Sequence, residues 1–267
     1  MQSLPELLRL RPRQPTVSVV RLQGTIGTAG ARSLTDTGLA PVIEAAFAKK
    51  PAAVALQINS PGGSPVQSSL IASRIRRLSA EKKVPVFAFV EDVAASGGYW
   101  LASAADEILC DPASMLGSIG VISAGFGFQD LIGRLGVERR VHTAGRSKSL
   151  LDPFRPEKPE DVERLNGWLL QLHDVFIGHV RSRRGAKLAD HPDLFTGEVW
   201  IGERAVNVGL ADGIGHLVPF MKARFGDKVR FRRYGQRRPL LSRFGFSLAE
   251  ETAGLLEERA AFARFGL

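Results

Sequence analysis

The chain has 267 residues, of which 44% are hydrophobic and 24% charged, so it can bury a sizeable core in one large domain or two small ones. Its single cysteine, Cys110, excludes an intrachain disulfide and suits a reducing compartment. No apolar run approaches the roughly 20 residues of a membrane-spanning helix, and residues 1–15 lack the apolar centre of a secretory signal. The formal net charge of +9 indicates an anionic partner.

The first third of the chain alternates predicted strands and helices. β-Branched residues at 16–23 predict a strand, and apolar positions at helical spacing predict a helix at 35–49. Short apolar runs predict buried strands at 54–58 and 84–90. Between them, Ser64 as N-cap and Pro65 in the first turn predict a helix that reaches residue 80. This alternation predicts an α/β fold with a mostly parallel sheet.

The rest of the chain predicts shorter elements, one long helix and a basic tail. The predicted strands are 107–110, 119–123, 139–143 and 196–201, and the predicted helices are 126–135, 161–184, 202–208 and 217–224. The sequence predicts an N-terminal segment (1–15), a folded domain (16–224) and a C-terminal tail (225–267) that ends in an amphipathic helical pattern. The stretch 222–243, which spans the boundary between this domain and the tail, carries nine basic residues against one acidic residue.

Two glycine-containing turns follow two successive predicted strands. NSPGG follows the strand at 54–58, and AASGG, with Ser96, follows the strand at 84–90. The carboxyl ends of parallel strands share one edge of a sheet, where ligands bind, so both turns are expected to meet there. Glycine permits close approach to Ser96, and the next helix would point its free N–H groups at it. This pattern is typical of a serine nucleophile with an oxyanion site, or of a turn that only lets a helix pack closely on a sheet.

A serine nucleophile requires a general base, and the sequence leaves two kinds of candidate open. None of the five histidines lies in a glycine-rich turn; they are His142, His173, His179, His191 and His216. Lys148, in GRSKSLLDPF, is flanked by serines, whereas most other lysines stand among charged residues. A lysine base must be neutral, which requires desolvation or nearby positive charge. The alternative for Lys148 is an ordinary loop lysine.

Four blocks occur in a fixed order: INSPGG, AASGGYWLASAADEI, GSIGVI, and a G-x-x-K loop followed by PF. With these blocks, residues 17–220 resemble the single-repeat members of the signal peptide peptidase A (protease IV) family. The resemblance implies a crotonase-like spiral of ββα units, as in the caseinolytic protease subunit. It implies a Ser-Lys endopeptidase acting on remnant signal peptides or other unfolded or membrane-derived peptides. Ser96 would be the nucleophile, Lys148 the base, and Ser118 the hydroxyl that holds the lysine.

The same resemblance implies an oxyanion site, an assembly and the absence of a cofactor or metal. Gly62, Gly63 and Gly97 match the backbone of the oxyanion site. The serine and lysine of the family come from neighbouring protomers or repeats, so a chain with one repeat is expected to form a homo-oligomer, with eight subunits as a candidate number. From this sequence we expect no N-terminal membrane anchor of the kind common in the family, and the tail from about residue 225 matches nothing in the family's catalytic core.

Three alternatives differ in the chemistry that they require. A caseinolytic-type Ser-His-Asp peptidase needs a histidine in the region that reads GSIGVIS here. A crotonase acting on acyl-CoA would use the glycine N–H groups without Ser96 or Lys148. A non-catalytic scaffold would use the basic tail to hold a membrane or nucleic acid. We expect a cytoplasmic chain, peripheral to the inner face of the membrane, that contacts anionic lipid through 222–243 and binds no nucleic acid.

Overall fold

The computed structural model describes residues 14–27, 33–145, 147–235 and 258–267. The strands are β1 (Thr16–Gln23), β2 (Ala53–Ser60), β3 (Val86–Ala95), β4 (Glu107–Cys110), β5 (Met115–Gly117), β6 (Val199–Ile201), β7 (Gly213–Ile214) and β8 (Arg230–Tyr234). The α-helices are α1 (Asp36–Ala48), α2 (Pro65–Lys82), α3 (Gly97–Ala102), α4 (Gln129–Arg134), α5 (Pro159–Arg184), α6 (Glu203–Asn207) and α7 (Leu217–Phe225). A 3₁₀ turn at Gly185–Lys187 follows α5, and residues 258–263 are helical.

The strands form one mostly parallel sheet in the order β6-β5-β3-β2-β1-β8. β3 is long enough to pair with β4 through its first half and with β5 through its last residues. Only the β5–β6 pair is antiparallel among the described strands. The predicted α/β class with a mostly parallel sheet is therefore confirmed.

Helices α1 and α2 begin where the sequence predicts and are joined by an ion pair. Thr35 caps α1 by accepting a hydrogen bond from Gly38 N (3.2 Å), and Ser64 caps α2 ahead of Pro65. Arg74 of α2 donates two hydrogen bonds of 2.8 Å to the Asp36 carboxylate of α1. This bidentate contact lowers the pKa of Asp36 and fixes the two helices side by side.

The core has a layer on each face of the sheet. The larger layer lies under α1, α2, α3 and α5 and contains fully buried side chains such as Leu39, Leu56 and Ile75. The smaller layer lies under α7, where Phe220 contacts the rings of Phe87 and Phe89 with centroid distances of 5.9 and 5.8 Å. These two layers pack against β1, β2 and β3 from both faces. The site described below lies at the carboxyl ends of these strands.

Two predicted strands are wrong. Residues 119–123 and 139–143 form no strand, and the helix predicted at 126–135 is reduced to α4. Apolar and β-branched residues at these positions find no neighbouring strand, so local preference alone does not produce pairing.

β8 was not predicted. Its sequence, RFRRY, lies in the stretch assigned to the tail, yet it pairs in parallel with β1 over five residues. The sheet thus extends past the predicted domain boundary at residue 224. The rest of the predicted division, into an N-terminal segment, a folded domain and a C-terminal tail, stays a prediction. The start of the predicted amphipathic helix lies outside the described residues. None of the described helices has the length and apolar character needed to span a membrane.

Candidate active site

Ser96 occupies a sharp turn between β3 and α3. Its φ of 51° and ψ of −121° lie in a region that non-glycine residues rarely adopt. The turn is fixed because Ser96 N donates to Gly117 O (2.8 Å) and Ser96 O accepts from Trp100 N (3.0 Å). The Ser96 hydroxyl makes no capping hydrogen bond to α3.

The glycines around Ser96 are required by close backbone contact. A Cβ added at Gly62, whose φ is 102°, would lie 2.8 Å from Ala95 O and 2.9 Å from Ser96 Cβ. A Cβ at Gly98 would lie 2.3 Å from Ser60 O. The predicted meeting of the NSPGG and AASGG turns at the carboxyl edge of the sheet is therefore a feature of the structure.

Two backbone N–H groups beside Ser96 have no acceptor among the described residues. The Ile26 backbone holds the NSPGG turn by donating to Gly62 O (2.8 Å) and accepting from Ser64 N (2.6 Å), which leaves the N–H of Gly63 unused. Gly97 is the first residue of α3, so its N–H has no partner within the helix. A Cβ at Gly97 would lie 3.3 Å from Gly63 N, so the two donors are close together. Such a pair can hold an oxyanion.

Ser118 lies next to this turn and also has a positive φ, 49°. It follows Gly117, which is paired with Ala95 at the end of β3, and its N–H donates to Glu198 O (2.7 Å). The structure therefore brings Ser118 together with Ser96, Gly63 and Gly97 at one cavity of about 430 Å³.

The walls of this cavity are mostly apolar and come from distant parts of the chain. The described lining residues are Pro61, Gly63, Pro65, Ser96, Gly97, Trp100, Ser118, Gly120, Val121, Ile122, Leu172, Phe176, Thr196, Gly197, Arg264 and Phe265. Trp100 stacks on Phe176 (4.9 Å between centroids) and on His179 (4.6 Å). The sequence analysis did not predict that α5 forms part of the cavity wall. The i, i+4 spacing of Leu172 and Phe176, which places both on one face of the helix, was the only indication in the sequence.

None of the five histidines lines the cavity. His173 Nε2 lies 3.0 Å from Ile119 O, and His179 Nε2 lies 2.9 Å from Ser103 Oγ. Burial lowers the pKa of His179 to about 4, so this ring is neutral at physiological pH. His216 pairs with Asp111 at 2.8 Å, a carboxylate partner that the sequence did not reveal. The positions of these rings favour a base other than histidine.

Lys148 does not line the cavity of its own chain. It lies in an exposed turn where its backbone N–H donates to Gly145 O (3.2 Å), and its amine forms no ion pair with a described residue. The structure thus brings together the predicted nucleophile, Ser118 and the predicted oxyanion donors, but not the predicted base.

Comparison with known proteins assigns the chain to a family. The sequence profile described as peptidase family S49 matches residues 79–223, which is more than half of the chain and includes Ser96, Ser118 and Lys148. The chain belongs to peptidase family S49. This confirms the resemblance to signal peptide peptidase A, and the mostly parallel α/β sheet is the fold class expected of an S49 member.

Relatives of this S49 chain include much longer proteins. A protein named Na(+)/H(+) antiporter NhaA from Brucella melitensis is 48% identical over 291 residues, covering 99% of this chain but 40% of that protein. The chloroplastic serine protease SPPA of Arabidopsis thaliana is 31% identical over 75% of this chain and 29% of its own length. The chain therefore spans less than half of these relatives.

A solved structure also matches the chain, at much lower sequence identity. It is a mutant of the 1510-N membrane-bound stomatin-specific protease in complex with a substrate peptide, and it matches with a TM-score of 0.49 and 14% identity. The match covers 91% of this chain and 98% of that chain.

Proposed function

We propose that the chain is a serine endopeptidase in which Ser96 is the nucleophile. The observation that carries this proposal is the Ser96 turn itself: a serine with positive φ that lines a cavity beside the N–H groups of Gly63 and Gly97, which have no acceptor among the described residues. A turn that served only close packing would not require a serine with positive φ, because glycine adopts that conformation at lower cost. Membership of peptidase family S49 supports the same assignment.

The proposed mechanism uses a Ser-Lys dyad. Neutral Lys148 takes the Ser96 proton as Ser96 Oγ attacks a peptide carbonyl, and the Gly63 and Gly97 N–H groups hold the oxyanion that forms. One such donor is typically worth about 3–4 kcal/mol in the transition state. The protonated lysine then gives its proton to the leaving amine, and water releases the acyl-enzyme. Ser118 would orient the lysine amine.

The proposed substrates are extended peptides with apolar side chains, such as remnant signal peptides or other unfolded, membrane-derived segments. The cavity supports this class because Trp100, Leu172 and Phe176 give it an apolar wall next to Ser96. Apolar walls with few fixed polar groups favour apolar side chains over charged ones.

We further propose a homo-oligomer in which Lys148 of the partner subunit completes the site. None of the described residues from 121 to 160 is buried, although this segment includes α4 and Lys148. Large apolar side chains in it are exposed, among them Ile122 (68%) and Phe126 (81%). A segment without a core of its own needs a surface to cover it, and a closed ring of identical subunits would provide one. Eight subunits remain the candidate number.

The proposed location is cytoplasmic, with peripheral contact to an anionic membrane through residues 222–243. The described part of this stretch supports the contact with exposed Lys222, Lys228, Arg230 and Arg232. Each such charge near an anionic leaflet contributes roughly 1 kcal/mol before screening.

Labelling of Ser96 tests the peptidase proposal. A fluorophosphonate should attach to Ser96 in the assembled protein, as located by mass spectrometry, and Ser96→Ala should lose both the label and peptide hydrolysis while folding normally. Ser73→Ala, at an exposed serine of α2 that does not line the cavity, is the matched control and should keep both. Hydrolysis that survives in Ser96→Ala, or label on another serine, would contradict the assignment and indicate a different nucleophile.

A further inference from the structure

A second cavity lies near the amino ends of β1 and β2, whereas Ser96 follows the carboxyl end of β3. It has a volume of about 750 Å³ and is formed by the loop between α1 and β2, the start of β1, and the edge strand β8. The described lining residues are Gln14, Pro15, Thr16, Ser18, Lys49, Lys50, Pro51, Ala52, Arg230, Phe231, Arg232, Arg233 and Tyr234. None of them lines the Ser96 cavity, so the two sites are separate.

Five cationic residues line this second cavity, and none of them forms an ion pair with a described residue; they are Lys49, Lys50, Arg230, Arg232 and Arg233. The strand register places Arg230 beside Thr16 and Arg232 beside Ser18. Both arginines are on the face of β8 that carries Tyr234, which packs on the main core. Cationic groups this close together repel one another, and an anion bound between them would offset the repulsion.

Lys50 occupies a left-handed backbone position at the end of α1. Lys50 follows the C-cap of α1 with a φ of 44°, a left-handed position that glycine usually occupies. A lysine there costs conformational free energy that glycine would not. Ser18 gives an independent indication, because it is a polar residue that lines the cavity although it is only 2% exposed.

We propose that this cavity binds a multiply charged phosphate group. Arginine guanidinium groups bind phosphate oxygens in bidentate fashion, lysines add point charge, and the Thr16 and Ser18 hydroxyls can donate to the remaining oxygens. The volume falls within the range of small-molecule sites. A soluble polyphosphorylated molecule and a phosphorylated lipid headgroup share this chemistry. The proposal does not depend on peptidase activity.

Calorimetric titration of the full chain with sodium tripolyphosphate, at fixed ionic strength, tests the cavity. In Lys50→Gln/Arg232→Gln, two cavity charges are lost and affinity should fall by about tenfold or more. The matched control is Lys222→Gln/Lys228→Gln, which removes the same charge from exposed residues of 222–228 that do not line the cavity. The control should bind like wild type. An equal loss of affinity in both variants would mean unspecific charge attraction and would overturn the proposal.

Lys50→Gly separates binding from folding. Glycine suits the left-handed position, so this variant should melt no lower than wild type and still bind tripolyphosphate more weakly. Unchanged affinity in Lys50→Gly would remove Lys50 from the site and contradict the proposal.

Sedimentation with vesicles of phosphatidylcholine and phosphatidylglycerol distinguishes the two sources of phosphate. Two results together would assign the cavity to a lipid headgroup. Tripolyphosphate should release the bound protein from the vesicles, and Lys50→Gln/Arg232→Gln should lose sedimentation while Lys222→Gln/Lys228→Gln keeps it. Tripolyphosphate binding without sedimentation would assign it to a soluble ligand. Sedimentation without any tripolyphosphate binding would overturn the proposal that the cavity binds phosphate. The vesicle contact would then come from exposed basic residues outside the cavity. Peptide hydrolysis by both double variants should match wild type, which keeps this test independent of the Ser96 assignment.

Discussion

At the scale of single residues, the Ser96 site combines strain with close packing. Ser96 and Ser118 both have positive φ, and both line the same cavity. Such conformations persist only where surrounding contacts determine them. Gly62 and Gly98 provide those contacts, because they let the NSPGG turn and the end of β2 approach the Ser96 turn more closely than any side chain would allow.

Gly98→Ala should therefore destabilise the fold, because its Cβ would meet the backbone oxygen of Ser60 at 2.3 Å. We expect a loss of about 1–3 kcal/mol in the free energy of unfolding, as for other overpacked sites. Gly178→Ala in α5 is the matched control, since nothing lies within 4 Å of its added Cβ. It should be neutral or stabilising by up to about 1 kcal/mol. Urea denaturation of both variants measures the difference, and equal stability of the two would refute the packing argument.

His179 makes stability depend on pH. Burial lowers its folded pKa to about 4, against 6.5 for the ordinary side chain. The unfolded chain therefore binds the proton first as pH falls, so the stability contributed by neutral His179 is complete above about pH 6.5 and declines toward pH 4. Melting temperature should fall between about pH 7 and pH 5, above the range in which most carboxylates titrate. His179→Phe, which keeps a ring against Trp100, should show a flatter profile; a profile identical to wild type would contradict this role.

At the scale of elements, the sequence predicted those strands and helices whose formation depends on local patterns. β1, α1, α2 and β4 were predicted because apolar periodicity and helix caps are local features, and the meeting of both glycine turns followed from parallel strands sharing one edge. The apolar walls of the site were not predicted, because Trp100 and Phe176 meet only through the packing of α3 against α5.

Tertiary context explains the errors as well. β8 carries three arginines in five residues, so its sequence suggested a solvated tail. It is nevertheless a strand because Phe231 packs on the smaller core layer and Tyr234 on the larger one. Removal of the chain after residue 225 would therefore delete part of the sheet, and a truncation that probes the tail should begin after Gly235.

At the scale of the whole molecule, the described residues divide into a well-packed sheet domain and surfaces that lack a partner. The 121–160 segment has no buried residue, and α5 exposes Trp168 (47%) and Val175 (61%). Apolar exposure on this scale is typical of subunit interfaces. Because Lys148 lies in the uncovered segment, assembly and catalysis are predicted to depend on each other.

Subunit mixing tests this dependence. Ser96→Ala and Lys148→Ala subunits should each be inactive alone. If each site takes its serine from one subunit and its lysine from the next, random mixing in equal amounts leaves about a quarter of the sites with both residues in a cyclic oligomer. Peptide hydrolysis should therefore recover to about a quarter of the wild-type rate. The double variant Ser96→Ala/Lys148→Ala, mixed with wild type, controls for dilution. Mixed oligomers that are verified by native mass spectrometry and remain inactive would show that the dyad does not cross an interface, and an active monomer by light scattering would exclude the assembly altogether.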